Sequence, residues 1–378
     1  MATPTPGYIT PQIGDSVETI ETPAIVIDLD QMESNMAWYG EFAERHDVRL
    51  RSHVKTHKTP DIAHKQSRLP NARGILCQTL GEVEVMAQNG ITDIYLSYMI
   101  VQPSQLERLV RLSEKLDQFA TTVDSPGNVD PLQAVASKHD VTIDVVLEMD
   151  AGMGRVGAPP GEAMVELGEY VDAQSNLSIA GLMTFEGHAK KGAETEAEVE
   201  AACLEVMDTV AETVEQLEAA GIPIDDVKVG STGTSRYSGT HEIATEINPG
   251  MYPFFDATVA SYPIPVSLED CALHVLSTVM SVPTDDRVVV DAGSKTISMD
   301  ASLSPVAIDE PGLDYFKYSE EHGWIDTTQA SREFRVGDRI TWVPPHVCTT
   351  VNLHDVIIGV RDGIVEETWS VQGRGKVR

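Results

Sequence analysis

Val48-Arg49-Leu50-Arg51-Ser52-His53-Val54-Lys55-Thr56-His57-Lys58 begins in a short apolar run and ends on two lysines interleaved with two histidines. Read as a strand over Val48–Val54 that runs out into a polar loop, it is the first of eight similar segments. The others are Gly74–Gln78, Asp93–Leu96, Phe119–Val123, Ile143–Glu148, Ile179–Thr184, Val227–Gly230 and Ile243–Asn248. Amphipathic patterns of helical period lie between most of them, among them Gly81–Asn89, Ser104–Leu116, Gly161–Val171 and Glu194–Ala220. Eight βα units in one stretch predict an α/β fold, a closed parallel TIM-like (β/α)8 barrel. A helix over Gln31–Arg45 precedes it, with Asp30 as the predicted cap and Glu33 completing a capping box.

After Tyr262 the texture changes. Short alternating runs (Leu273–Val282, Arg287–Asp291, Asp338–Val343, Val356–Val360, Ile364–Thr368) are broken by Gly, Pro and Asp, and predict a C-terminal all-β domain. Ala24–Asp28 is expected to add a strand to it. The division is therefore a segment 1–28 packing with the β domain, the barrel over 29–262 and the β domain over 263–378. Ala301–Ser331 reads as a surface excursion of that domain, and Gly192–Glu200 as a solvated helix start.

The 378 residues are 42% hydrophobic, enough for a large core, but 59 acidic residues face 27 basic ones, for a net charge of −32. That balance argues against nucleic acid and against anionic membranes as partners. It fits a surface adapted to a salt-rich cytoplasm, where screening relieves the repulsion. Cys77, Cys203, Cys271 and Cys348 are scattered, with no Cys-x-x-Cys pair, so neither a disulfide framework nor a zinc knuckle is expected. Met1–Asp15 has no cationic start followed by an apolar run, and no stretch is long enough to span a bilayer, so a soluble, cytoplasmic protein is expected.

In a parallel barrel, chemistry sits in the loops after the strands. Lys55 follows the first strand, and an amine among cations and apolar groups is disposed to lose its proton and attack an aldehyde. Lys58 lies a turn further on, and His53 and His57 are supporting residues. After the seventh strand comes Gly230-Ser231-Thr232-Gly233-Thr234, and after the eighth Asn248-Pro249-Gly250-Met251-Tyr252. Small residues let backbone amides approach an anion, and in this fold those two loops commonly hold a phosphate. A Schiff-base lysine with a phosphate cradle points to pyridoxal 5'-phosphate (PLP). After the fifth strand, the glycines of Glu148-Met149-Asp150-Ala151-Gly152-Met153-Gly154-Arg155-Val156-Gly157 bring Arg155 towards the mouth, to pair with a cofactor phenolate or a substrate carboxylate. Gln78 is a further polar contact, with Glu186 and His188 behind it. In the β domain, His346 and Cys348 alternate along Pro344–Asn352, read as extended, so that both point to one face and offer imidazole and thiolate to zinc. Two ligands leave water or substrate to complete the shell, as at a catalytic metal.

Together Thr22–Asp28, Arg51–Lys58, Asp150–Gly157, Gly230–Thr234, Asp291-Ala292-Gly293-Ser294-Lys295 and Pro345–Asn352 resemble the D-serine dehydratase / D-threonine aldolase family. The resemblance spans nearly the whole chain and implies the alanine-racemase type of fold, a dimer, and a PLP enzyme acting on D-amino acids. It implies Lys55 as the cofactor-bearing lysine and Arg155 beside the pyridine ring. Ser231, Thr232, Gly233, Gly250 and Met251 would lie around the phosphate, with His346 and Cys348 as metal ligands. Within that family Cys348 tilts the expectation towards dehydration and zinc. Retro-aldol cleavage is the first alternative; amino-acid racemisation and a non-catalytic PLP-binding protein are the others.

Overall fold

The computed structural model describes residues 10–378, which separate into two compact units. One comprises Met36–Tyr252, Tyr262–Pro265 and Gly375–Arg378; the other comprises the residues up to Asn35, Pro253–Ser261 and Val266–Arg374. Of the expected N-terminal segment, and of the stretch read for a cationic start, residues 1–9 lie outside the described residues.

Strand β1 (Ala24–Asp28) belongs to the second unit. The first unit is built on β2 (Arg49–His53), β3 (Ala72–Cys77), β4 (Asp93–Leu96), β5 (Gln118–Val123), β6 (Ile143–Met149), β7 (Leu177–Thr184), β8 (Val227–Val229) and β9 (Glu246–Ile247). Each pairs in parallel with the next, and β9 returns to β2 through Arg49↔Glu246 and Leu50↔Ile247, so the predicted barrel closes. Leu76, Tyr95, Val146 and Met183 fill its interior, with Ala120 and Ala180 against them. Parallel strands need long crossovers, and the amphipathic stretches between them supply helices such as Leu80–Gln88, Pro103–Ser113 and Glu196–Ala219. The eighth strand is shorter than expected because His241–Ala244 forms a turn, with Ala244 N donating to His241 O at 3.0 Å.

The second unit adds β10 (Leu273–Thr284), β11 (Arg287–Val290), β12 (Val306–Ala307), β13 (Asp314–Tyr318), β14 (Gly323–Asp326), β15 (Arg339–Val343), β16 (Val356–Arg361) and β17 (Ile364–Ser370). The sheet runs β13-β14-β11-β10-β1-β16-β17, with β15 on β10 and β12; only β1–β16 is parallel. Two expectations are corrected. The stretch 301–331 is no mere excursion, because β14 continues the sheet from β11 and Tyr315 is buried, donating its hydroxyl to Ala292 O at 2.6 Å. The long N-terminal helix begins at Leu29, and Asp28 Oδ1 accepts from Gln31 N at 3.0 Å; Asp30 and Glu33 instead pair with Arg361. Among the described residues, no helix is long and apolar enough to cross a membrane.

Candidate active site

Side chains alternate along a strand, so Leu76, Tyr95 and Val146 inside the barrel are followed two residues on by Gln78, Ser97 and Glu148 at its C-terminal rim. Lys55 reaches the same rim on the turn after β2. Its Nζ donates to Gln78 Oε1 at 3.4 Å, while Gln78 Nε2 donates to Ser97 O at 2.8 Å, which fixes the amide's orientation. His53 Nε2 lies 3.2 Å from the same Oε1; burial, and then the charge of Lys55, hold this imidazole well below its ordinary pKa. Lys58 has a different fate. Its backbone is left-handed, its side chain is buried, and Nζ donates to Glu82 Oε1 at 2.8 Å. Glu82 Oε2 accepts from Gln78 N at 2.7 Å, so the second lysine braces the residue that meets the first. His57 is buried against Gln66, Nε2 to Oε1 at 3.0 Å.

The glycine loop after β9 is tied to the end of β2, and the two glycine loops are tied to each other. His53 N donates to Pro249 O at 2.9 Å, and a Cβ on Gly250 would lie 3.2 Å from both His53 O and Thr56 Oγ1, so glycine permits the close approach. Thr232 Oγ1 accepts from Gly250 N at 3.1 Å and Met251 N at 2.8 Å, bridging the loops after β8 and β9. Ser231 N and Oγ both meet Thr234 Oγ1 at 2.9 Å, and Tyr39 donates its hydroxyl to Thr232 O at 2.8 Å. Lys190, which sequence reasoning missed, brings its side chain to within 3.3 Å of where a Cβ on Gly233 would stand. Glu186 is not a rim contact as expected. It is fully buried, accepting from Gly230 N at 2.9 Å and Ser238 Oγ at 2.5 Å, and so anchors the loop from below.

The loop after β6 is an ordered excursion. Asp150 N donates to Ala158 O at 3.0 Å and Ala158 N to Glu148 O at 2.9 Å, closing its ends; Asp150 Oδ1 accepts from Gly152 N and Gly154 N inside it. Gly157 has φ +109°, and a Cβ there would meet Asp150 N at 2.5 Å, so only glycine fits. From this loop Arg155 folds back over the Phe185 ring at 4.8 Å and towards Glu148, Nη2 to Oε1 at 4.0 Å. Burial lifts the Glu148 carboxyl to about 7, against the pull of Arg155. His188 lies beside Gly152, its Nδ1 without a hydrogen-bond partner among the described residues.

A set of an amine, paired amides, hydroxyls and a nearby cation around one barrel end suits a phosphorylated aldehyde. A cleft of about 720 Å³ at the opposite end does not, because its cations Arg51 and Lys228 are already held in ion pairs: Arg51 with Glu246 at 3.1 Å and Asp93 at 2.7 Å, Lys228 with Asp226 at 3.2 Å.

In the other unit, His346 and Cys348 do not alternate on an extended segment. His346 is the N-cap of a short helix, Val347–Val351, that contains Cys348. Helical winding still brings the side chains together: hydrogen bonding to Cys348 leads the causes that raise His346 to about 9. Asp300, which the sequence did not suggest, accepts from His346 Nδ1 at 2.9 Å. Asp256 is buried and accepts Val347 N at 2.9 Å, anchoring the turn between the two residues. Imidazole, thiol and an orienting carboxylate suit a divalent metal, although no group of three or more His, Cys, Asp or Glu able to hold one occurs among the described residues.

Residues 27–257 match the family described as alanine racemase, N-terminal domain, and residues 272–360 the putative serine dehydratase domain. The chain is 34% identical over 368 residues to a D-threonine aldolase of an Arthrobacter species, covering 96% of this chain and 95% of that protein. The solved D-threonine aldolase from Filomicrobium marinum is 35% identical, with 97% of this chain and 99% of that one covered and a TM-score of 0.91. The D-threo-3-hydroxyaspartate dehydratase from Delftia sp. HT23 is 27% identical, with 94% and 98% covered and a TM-score of 0.86. Further structures of that dehydratase include a cysteine-to-alanine mutant described as metal-free, and a mutant of a histidine two positions earlier. Matched in its barrel to one family and in its β unit to the other, and alike to these proteins along almost all its length, the chain belongs to the D-serine dehydratase / D-threonine aldolase family of lyases, which share the alanine-racemase type of fold.

Proposed function

We propose that the chain is a PLP- and metal-dependent lyase of D-3-hydroxy amino acids, and that it eliminates water from a D-serine-like substrate to give a keto acid and ammonia. The observation that carries this is the Lys55 amine on Gln78, just after a strand end bonded to the glycine loop after β9, which is itself bonded to the glycine loop after β8. When bound, the cofactor supplies an electron sink for the bond broken at Cα, and the metal, which we propose is zinc, a Lewis acid for the β-hydroxyl. The remaining work falls to the chain's own residues. Lys55 holds the aldehyde and moves the proton at Cα. Gln78 orients Lys55; Ser231, Thr232, Gly233, Gly250 and Met251 hold the phosphate; Arg155 meets the ring's phenolic oxygen. His346 and Cys348 are the metal ligands, with Asp300 orienting the imidazole.

Elimination is supported by the His-x-Cys spacing, which matches the two positions altered in the Delftia dehydratase structures, one of them metal-free. Retro-aldol cleavage to glycine and an aldehyde is the second reading, favoured by the higher identity to aldolases, 35% against 27%. The test is incubation with D-serine, D-threonine and D-threo-3-hydroxyaspartate, assaying keto acid, ammonia and glycine. Keto acid with ammonia is the expected result; glycine with an aldehyde moves the assignment to the second reading. Turnover indifferent to a chelator removes the metal, and a visible band that survives Lys55→Ala removes the lysine.

A further inference from the structure

Glu148 is a buried acid that the reaction above does not use. It sits one residue before the end of β6, 3% exposed, on the inward side of a strand whose neighbours Val145, Val146 and Leu147 are wholly buried. An isolated carboxylate is unfavourable in such surroundings. Its Oε1 lies 4.0 Å from Arg155 Nη2, across a loop whose ends are closed by the two backbone bonds between 148–150 and Ala158. The charged groups that act on it are Arg155, Asp124, Asp150 and Lys55, and Tyr95 lies within its field. Of these, Arg155 and Lys55 favour its ionised form and the two aspartates oppose it.

The arrangement separates two jobs. The backbone bonds and Gly157 shape the loop without any side-chain charge, so the loop persists when Glu148 is neutral. The guanidinium is different: with a half-exposed side chain, Phe185 and Glu148 are what hold it inward. We propose that Glu148 is the positioning residue for Arg155, its carboxylate drawing the guanidinium to the barrel rim once the acid has lost its proton. The inference rests on the PLP reading of that rim.

Burial raises this carboxyl to about 7, so it is neutral at pH 5.5 and ionised at pH 8.5. The probe is pyridoxine 5'-phosphate, which has the ring and the phosphate but no aldehyde, so that Lys55 chemistry does not enter. At pH 8.5, Glu148→Gln weakens its binding about fivefold, the size of a partly solvated ion pair, and at pH 5.5 it leaves binding unchanged. Glu148→Asp, which keeps the charge, restores most of the loss. In an Arg155→Gln background the Glu148 substitution adds nothing. An equal effect of Glu148→Gln with and without Arg155, or none at either pH, overturns the proposal. A second measurement does not depend on the cofactor: carboxyl ¹³C NMR of the unloaded protein should show the Glu148 midpoint moving up in Arg155→Gln. If it stays, the pairing is wrong whatever binds in the barrel. If it moves but pyridoxine 5'-phosphate does not bind the wild type, the PLP reading fails and the positioning role falls with it.

Discussion

Lys55 and Lys58 are three positions apart on one turn, yet burial and partner give them opposite work. Lys58 shares a buried ion pair with Glu82, so removing it strands a carboxylate that is wholly out of solvent. Breaking such a pair from one side is costly, and Lys58→Met should destabilise the protein by about 3 kcal/mol in denaturant unfolding. Lys55→Met, at a half-buried position, should cost under about 1 kcal/mol while removing activity. Glu148 gives the opposite sign. Its folded pKa is raised from 4.5 to about 7 by burial, so the stability it contributes is present below pH 4.5 and lost as pH rises through 7. Glu148→Gln should therefore raise the stability of the unloaded protein at pH 8.5, by up to about 3 kcal/mol, and leave it unchanged at pH 4.5. A thermal midpoint that shifts equally at both pH values would contradict the burial argument.

Among the elements, the eight barrel strands were legible because each is an apolar run bounded by turn residues, and the loops after the last two stood out by their small residues. The strands β13 and β14 were not, since Asp314–Tyr318 and Gly323–Asp326 are short and bounded by residues that also make surface loops. His346 and Cys348 were singled out by type and spacing on a stretch read as extended, where the backbone instead winds into a helix from Val347. Asp300 was hidden for another reason: it is 46 residues from His346 and joins it only through tertiary folding. Glu148 was hidden inside an apolar strand, where one acid reads as incidental. Two predictions belong here. Thr232 Oγ1 is the acceptor that joins two loops, so Thr232→Val leaves two amides without it and should cost about 2 kcal/mol while releasing pyridoxal phosphate at least about tenfold more readily; Thr232→Ser should keep both. At the proposed metal site, Asp300→Asn should weaken zinc binding about 10- to 100-fold, read by competition with a chromophoric chelator, because the His346 ring loses the carboxylate that orients it.

For the whole molecule the deciding quantity is charge. With 59 acidic residues against 27 basic ones, pairing every cation would still leave a net charge of −32. Added salt acts on both sides of that balance. It weakens exposed pairs such as Lys295–Glu321, 2.8 Å apart with both side chains more than 60% exposed, but pairs of that kind are screened by solvent and contribute little. It also screens the repulsion among the surplus carboxylates, since the Debye length falls from about 10 Å at 0.1 M to about 3 Å at 1 M. Because the surplus exceeds the number of cations available for pairing, the second effect wins, and the thermal midpoint at pH 7.5 should rise by several degrees between 0.1 and 1 M KCl. Lowering the pH provides the control. Towards the sequence pI of about 4.5 the surplus charge is titrated away, so the same salt step at pH 5 should move the midpoint much less. A midpoint indifferent to KCl at pH 7.5, or an equal response at both pH values, would mean that the fold does not carry its acidic surface as a repulsive load.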